Sequence, residues 1–319
     1  MRQFALLVLK IAVSAGLLYL ALRDIDFAAL QARLRRIDLV WIALSALAGF
    51  VQIGVAALRW REITLACGAE LKTGTAMRFQ LIGSFFNQTL PSTIGGDGVR
   101  LWLLQRNGAP WREATYSVLV DRAVGLIVLA VMVVVSLPWS LALIGNTEGR
   151  IALVMLDFAA LAACIGFLVL GVLPWRWLKS LWPLRHVQAC AVIANRVIFD
   201  ARSGPRVLGL SILNHLLSVV IAWCVGRAIA SPVTFAQMFL LIPPIMLIMT
   251  IPISIAGWGV REQTMQVAFI NAGLSGADGL TISLLYGIVL FLIGAAGGLV
   301  WLVTRPATQA ADARPPSPP

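Results

Sequence analysis

An all-α integral membrane protein is the fold class this sequence predicts, and three observations carry the prediction. The first is composition: 60% of the 319 residues are hydrophobic and 12% charged, with a mean hydropathy of +0.89. Soluble domains carry about 25% charged residues. The second is a set of uncharged runs, of 20 residues at 39–58, 22 at 123–144, 33 at 228–260 and 25 at 280–304. Each reaches the ~20 residues that take a helix across a ~30 Å hydrocarbon core. The third is a duplication. Thr89-Leu90-Pro91-Ser92-Thr93-Ile94-Gly95-Gly96-Asp97-Gly98-Val99-Arg100 returns without a gap, 161 residues later, as Thr250-Ile251-Pro252-Ile253-Ser254-Ile255-Ala256-Gly257-Trp258-Gly259-Val260-Arg261. Seven of the twelve positions are identical. Gly/Pro-interrupted apolar segments at matching places in two halves of a membrane chain point to a transport site at the repeat interface.

Taken in order, residues 4–22 read as a first membrane helix broken only by Lys10, which can snorkel to the interface. This run is too long for a signal-peptide core, and no small-residue cleavage site closes it. Residues 23–38 mix four Arg with three Asp as a surface loop. The span at 39–58 follows, closed by Arg59-Trp60-Arg61, which reads as a basic-aromatic interface anchor. The segment 59–78 reads as a basic loop. Residues 79–96 are apolar but hold Asn87, Pro91 and paired glycines. Proline removes a helix hydrogen bond and glycine releases the backbone, so a broken or re-entrant segment is expected there, with Arg100, Arg106 and Arg112 in a polar loop behind it.

Further spans are expected at 116–144, 151–173, 207–226 and 280–304, the last with Gly294 and Gly298 spaced for close helix contact. Between them, 174–206 holds six Lys/Arg and His186 and reads as a cytoplasmic loop. Residues 235–256 form the second broken segment, interrupted near Pro252 as the first is near Pro91. Counted from the loop charges, the two dip from opposite faces as an inverted repeat. A full crossing at 79–96 is the alternative count. The whole is a polytopic domain over 1–304, with about six to eight membrane helices, followed by a Pro- and Ala-rich tail at 305–319 expected to be disordered.

Composition and motif also set chemistries aside. The formal net charge of +11 lies in short loops between apolar runs, which fits positive-inside topology and implies no nucleic-acid partner. Cys67, Cys164, Cys190 and Cys224 lack metal or redox spacing and read as small apolar packers. Neither a P-loop motif nor a zinc-spaced ligand set is present. No cofactor, metal or catalytic residue is therefore assigned, and an enzymatic role is the less favoured reading.

The residues singled out for binding are Asn87, Pro91, Gly96, Asp97, Arg100, Asp121, Arg122, Gly257, Arg261 and Glu262. Arg100 and Arg261 close the two copies, and Asp97 and Glu262 supply acids beside them. A Gly-rich break at a helix N-terminus offers free N–H groups to a phosphate, and arginine adds a bidentate fork for the same oxygens. The plainer reading is that these arginines anchor helix ends at the headgroups. Asp121-Arg122, at the mouth of a long apolar span, faces either a cavity or a neighbouring helix. Asn87 either touches a headgroup or caps freed backbone. His215, beside Asn214, reads as an interhelical hydrogen-bonder.

Arg59-Trp60, Phe85-Phe86-Asn87-Gln88-Thr89-Leu90-Pro91, Gly95-Gly96-Asp97-Gly98-Val99-Arg100, Asp121-Arg122 and Gly257-Trp258-Gly259-Val260-Arg261-Glu262 together resemble the lysylphosphatidylglycerol synthase transmembrane-region family. These are flippase-like membrane domains, and the resemblance runs from about residue 4 to 304. It implies a multi-pass protein of the bacterial inner membrane that handles a phospholipid or a polyprenyl- or glycan-linked lipid. Full-length synthases add a soluble aminoacyl-transferring domain, for which 305–319 is too short, so lysyl transfer is not carried over. The expected function is a flippase-like lipid transporter, with the lipid as substrate. The alternatives are a non-transporting membrane partner of a lipid-synthesis enzyme, or a lipid-modifying enzyme using Asp97, Asp121 or Glu262 as base.

Overall fold

The computed structural model describes residues 16, 37–90, 95–173, 182–250 and 257–304. The expected first span at 4–22, most of the 23–38 loop, Pro91, Pro252 and the 305–319 tail lie outside the described residues. The described chain is all-helical. Its helices are α1 (Leu39–Ala66), α2 (Thr73–Thr89), α3 (Gly95–Arg106), α4 (Trp111–Leu143), α5 (Thr147–Val172), α6 (Trp182–Phe199), α7 (Ser203–Ala228), α8 (Phe235–Met249), α9 (Val260–Asn271) and α10 (Gly276–Thr304).

Five of these, α1, α4, α5, α7 and α10, are long and apolar enough to cross a membrane, at the places where the uncharged runs put them. Local chemistry sets their ends. Asp38 accepts from Val40 N at 2.9 Å to open α1, and Asn146 accepts from Gly149 N at 3.1 Å to open α5. Thr234 and Gln237 bond each other's backbone to start α8. Leu90, which closes α2, is extended at ψ 145°, as the residue before a proline must be. In the second copy the chain turns through Gly257 (φ 80°) and Gly259 (φ 85°) before α9 begins, a left-handed backbone that only glycine adopts without strain.

Three stretches expected as loops are partly helical. α1 runs on to Ala66, α3 occupies Gly95–Arg106, and α6 fills 18 residues of the basic 174–206 segment. α6 forms because Cys190, Ala191, Ala194 and Val197 share one helical face and bury it against α4, α5 and α7.

α1 and α7 pack along their length and run antiparallel. Asp38 N donates to Ala228 O at 3.0 Å at one end, Gln52 Nε2 donates to Asn214 O at 2.9 Å midway, and Arg59 reaches Ser211 beyond it. α2 and α10 are also antiparallel neighbours. Gly294 and Gly298 meet Ser84 and Phe85, as their spacing predicts, and Gly297 lies so close to the Leu81 carbonyl that no Cβ would fit.

The pairs of packed helices are unchanged when α1–α4 is exchanged for α7–α10. α2 on α10 answers to α8 on α4, α1 on α4 to α7 on α10, and each helix of the α2–α3 and α8–α9 hairpins packs on its partner. α5 and α6 stand outside this exchange. Each half has its own apolar centre, one around Trp60, Phe79 and Leu104 and one around Met238, Met265 and Phe269.

Candidate functional site: two buried arginine clusters and the cavity between them

In the first half, α1, α3 and α4 converge on a closed charge network. Arg59 Nε donates to Asp121 Oδ1 at 2.9 Å, and Arg100 Nη2 donates to Asp121 Oδ2 at 3.1 Å. Arg100 Nη1 also donates to Asp97 Oδ1 at 3.1 Å, and Arg122 Nε pairs with the other Asp97 oxygen. The Trp60 ring lies under the Arg100 guanidinium, 4.2 Å from it. All of these but Arg122 are buried. Uncompensated charge would be costly at this depth. Each carboxylate is therefore shared by two arginines, and the set of three cations and two anions carries one net positive charge.

Small residues make room for it. A side chain at Gly83 would press on Arg100, and one at Gly125 would lie 3.1 Å from Arg59 Nη1. Gly96 packs directly on the Gly83 carbonyl, and Asn87 Oδ1 accepts from Gly96 N at 2.9 Å. Asn87 thus caps α3 across the break. His215 Nε2 bonds Gly125 O at 3.0 Å, tying α7 to α4 as an interhelical hydrogen bond.

The second half builds a smaller version. Arg261 pairs with Glu262 at 2.8 Å, Ser283 Oγ donates to the same carboxylate oxygen at 3.0 Å, and Gly259 N donates to the other at 2.6 Å. Trp258 and Tyr286 flank the guanidinium at 4.9 and 5.7 Å. Gly287 leaves the space that the Arg261 guanidinium fills. Arg100 and Arg261, the closing residues of the two copies, are therefore both buried, each against a carboxylate and a tryptophan.

A cavity of about 240 Å³ is lined by Arg122 of α4 and Arg261 of α9, one arginine from each cluster. Thr250 and Tyr286 add hydroxyls, and Ile242, Met246 and other apolar side chains supply the rest of the wall. Among the described residues its lining holds two guanidinium groups and no carboxylate; Asp97 and Glu262 pair with these arginines without lining it.

The sequence profile of the lysylphosphatidylglycerol synthase TM region matches residues 7–298. The chain belongs to this family. No curated protein and no solved structure matches it. Membership agrees with the paired Gly-Arg motifs and with a multi-pass membrane protein whose role is lipid-related.

Of the residues singled out from sequence, Asp97, Arg100, Asp121 and Arg122 form one network, and Arg261 and Glu262 form the other. Asn87 and Gly96 shape the α2–α3 turn, and Gly257 shapes the turn before α9, against Met249. Arg122 and Arg261 line the cavity, whereas Arg100 does not. Sequence reasoning missed Arg59, Trp60, Ser283 and Tyr286. The Arg59-Trp60-Arg61 triplet reads as an interface anchor, yet Arg59 is 7% exposed and Trp60 fully buried. The signal was present in the charge balance: Asp121, at the mouth of a long apolar span, needs a buried cation, and Arg59 and Arg100 supply it.

Proposed function

We propose that this protein is a flippase-like transporter that carries an anionic lipid across the bacterial inner membrane, the headgroup passing between Arg122 and Arg261. The observation that carries this reading is the cavity itself, which takes one guanidinium from each half and, among the described residues, is lined by no carboxylate. A lipid phosphate offers at least two charged non-bridging oxygens, each with lone pairs for more than one N–H, to two planar forks, and such bidentate pairs are strong and directional. A phospholipid and a polyprenyl- or glycan-linked lipid share this phosphate.

The repeat gives the reading its geometry. α1 and α7 are antiparallel, and the helix pairings survive exchange of the two halves. Both features support an inverted repeat with its axis in the membrane plane, the arrangement in which transporters place substrate near the midplane and alternate access between faces. Arg122 then serves two partners in turn. It holds Asp97 when the cavity is closed to lipid and turns to the headgroup when one arrives, while Arg100 keeps Asp97 compensated.

The test is leaflet exchange by the purified full chain, alone in vesicles, using a fluorescent anionic phospholipid and a chemical quencher added outside. Accelerated loss of the inner-leaflet signal, abolished in Arg122→Gln, is the expected result. Lipid exchange no faster than in protein-free vesicles would overturn transport and leave the chain as a non-transporting membrane partner of a lipid-synthesis enzyme.

A further inference from the structure

α5 turns one narrow face inward. Its buried residues are Leu153, Asp157 and Cys164, and the acid among them is 3% exposed. Asp157 lies ten residues after Thr147, where α5 begins. At ~1.5 Å per residue that is about 15 Å, the middle of a ~30 Å hydrocarbon core. Among the described residues neither of its carboxyl oxygens has a hydrogen-bond partner. Asp97, Asp121 and Glu262 are the contrast, since each holds at least one guanidinium group.

The surroundings of Asp157 are apolar along α5. One turn before it Leu153 packs with Val133 and Ile144, and two turns after it Cys164 packs with Ile127 and Ala130 of α4. The ionisable groups of the neighbouring helices are engaged elsewhere. On α4, Asp121 and Arg122 belong to the charge network, and Arg112 and Glu113 lie in its first turn. α6 bonds α5 at Leu168 and Leu173, three turns or more beyond the acid. There Arg185 and Arg196 are exposed, His186 bonds Tyr116, Cys190 packs against α4, and Asp200 caps α7. α8 carries no ionisable residue, and Arg261 and Glu262 of α9 pair with each other. On α5 itself, Glu148 and Arg150 stand in the first turn, where Arg150 bonds the Ile144 carbonyl.

An ionised carboxylate with neither donor nor cation is costly at this depth, and interior polar atoms are nearly always paired. A metal cation needs several oxygens around it, and among the described residues no group of three acids, histidines or cysteines could hold one. A proton needs no cavity and no second ligand. We propose that Asp157 is a proton-binding site, which carries a proton while enclosed between α5 and α4 and releases it when that contact opens to water, coupling lipid movement to the proton gradient. α4 is the mechanical link, because the helix packed on this face of α5 also carries Asp121 and Arg122. A void lined by Leu153 and Leu156 reaches α5 within a turn of the acid and shares Ile245 with the arginine cavity. The coupling rests on the transport reading; the proton site does not.

Infrared spectroscopy of the full chain in phosphatidylcholine vesicles reads the proton directly, with the carboxyl carbon of aspartate isotopically labelled. A carboxylic-acid C=O band is expected at neutral pH, moved by the label and lost in Asp157→Asn. A spectrum without that band, or one unchanged in Asp157→Asn, overturns the site. Asn is neutral and nearly the same shape as the protonated acid, so Asp157→Asn should keep the wild-type melting temperature. A large fall would mean an ionised, paired carboxylate and would also overturn it. For the coupling, exchange of a fluorescent anionic phospholipid is timed with and without an imposed pH gradient. The ratio of the two rates should be severalfold in the wild type, close to one in Asp157→Asn, and restored in Asp157→Glu. Equal ratios in the wild type and Asp157→Asn overturn the coupling. A wild type that exchanges no lipid in either condition overturns transport and the coupling with it, and the infrared band then decides the proton site alone.

Discussion

Arg100 and Asp121 meet at 3.1 Å in the interior, joining α3 to α4, while the other oxygen of the same carboxylate holds Arg59 of α1. One acid thus ties three helices together. Asp121→Asn leaves the buried Arg59 without its carboxylate and Arg100 with Asp97 alone, and breaking a buried pair from one side costs about 3–5 kcal/mol. A large fall in thermal unfolding temperature in detergent, with loss of monodisperse protein, is expected. An unchanged melting temperature would show that the network contributes no stability.

The arginines should separate into two groups. Arg122→Gln and Arg261→Gln each remove a charge-assisted contact of ~1.5–3 kcal/mol from the cavity, which is roughly 10- to 100-fold in affinity for an anionic lipid. Lysine at either place should rescue only in part, because the charge returns without the fork. Arg100→Gln should lower stability more than affinity, since Arg100 does not line the cavity. Titrating anionic lipid into each folded variant checks this, and full rescue by lysine would rule out bidentate recognition.

The contact of Gly297 with the Leu81 carbonyl sets how closely α10 approaches α2. Gly297→Val forces the two helices apart and should destabilise the fold by about 1–3 kcal/mol, the usual cost of overpacking. Gly209→Ala, on α7 with nothing nearby, is the matched control. Denaturant titration followed by tryptophan fluorescence compares the two, and equal stability would mean that the helices separate without loss.

Asp200, in the turn before α7, accepts from Ser203 N at 2.8 Å and Arg202 N at 3.0 Å. The Ser203 backbone bond, then the Ser203 hydroxyl, hold its carboxyl below the usual aspartate range. The unfolded chain therefore binds this proton more readily than the folded one. Its stabilising effect is complete above the ordinary aspartate pKa and disappears as pH falls through the lowered value. Protection of the Arg202 and Ser203 amides against hydrogen exchange, taken relative to the intrinsic rate at each pH, should fall on acidification, and Asp200→Asn should flatten that dependence. A pH dependence that survives in Asp200→Asn would place the titrating group elsewhere.

Much of this architecture was legible in sequence because apolar run length and Gly/Pro interruption are local signals. The long spans follow from the uncharged runs, and the spacing of Gly294 with Gly298 foretold a close helix contact, though not that α2 makes it. The Pro-Gly-Arg duplication marked where α2 stops before α3 and α8 before α9. Partnership over distance was not legible. Arg59 looks like an anchor because Arg61 is beside it and the uncharged run ends there, while the acid that buries it lies 62 residues on. The cavity needed Arg122 and Arg261 brought together from separate halves, which no spacing encodes. α6 escaped notice because its polar residues, Arg185, His186 and Arg196, outweigh a narrow small-residue face in any compositional window.

The cross-packing of the halves has a consequence for biogenesis. α2 leans on α10 and α4 on α8, so neither half is finished by its own sequence. When α2 leaves the ribosome, the glycine face that will cover its Leu81 carbonyl is still more than 200 codons from translation. At ~5–20 residues per second that is on the order of 10–40 s. Through that interval the α2 ridge that α10 will cover lacks its final partner. Chains that stall before α10 should be the ones that quality-control proteases clear.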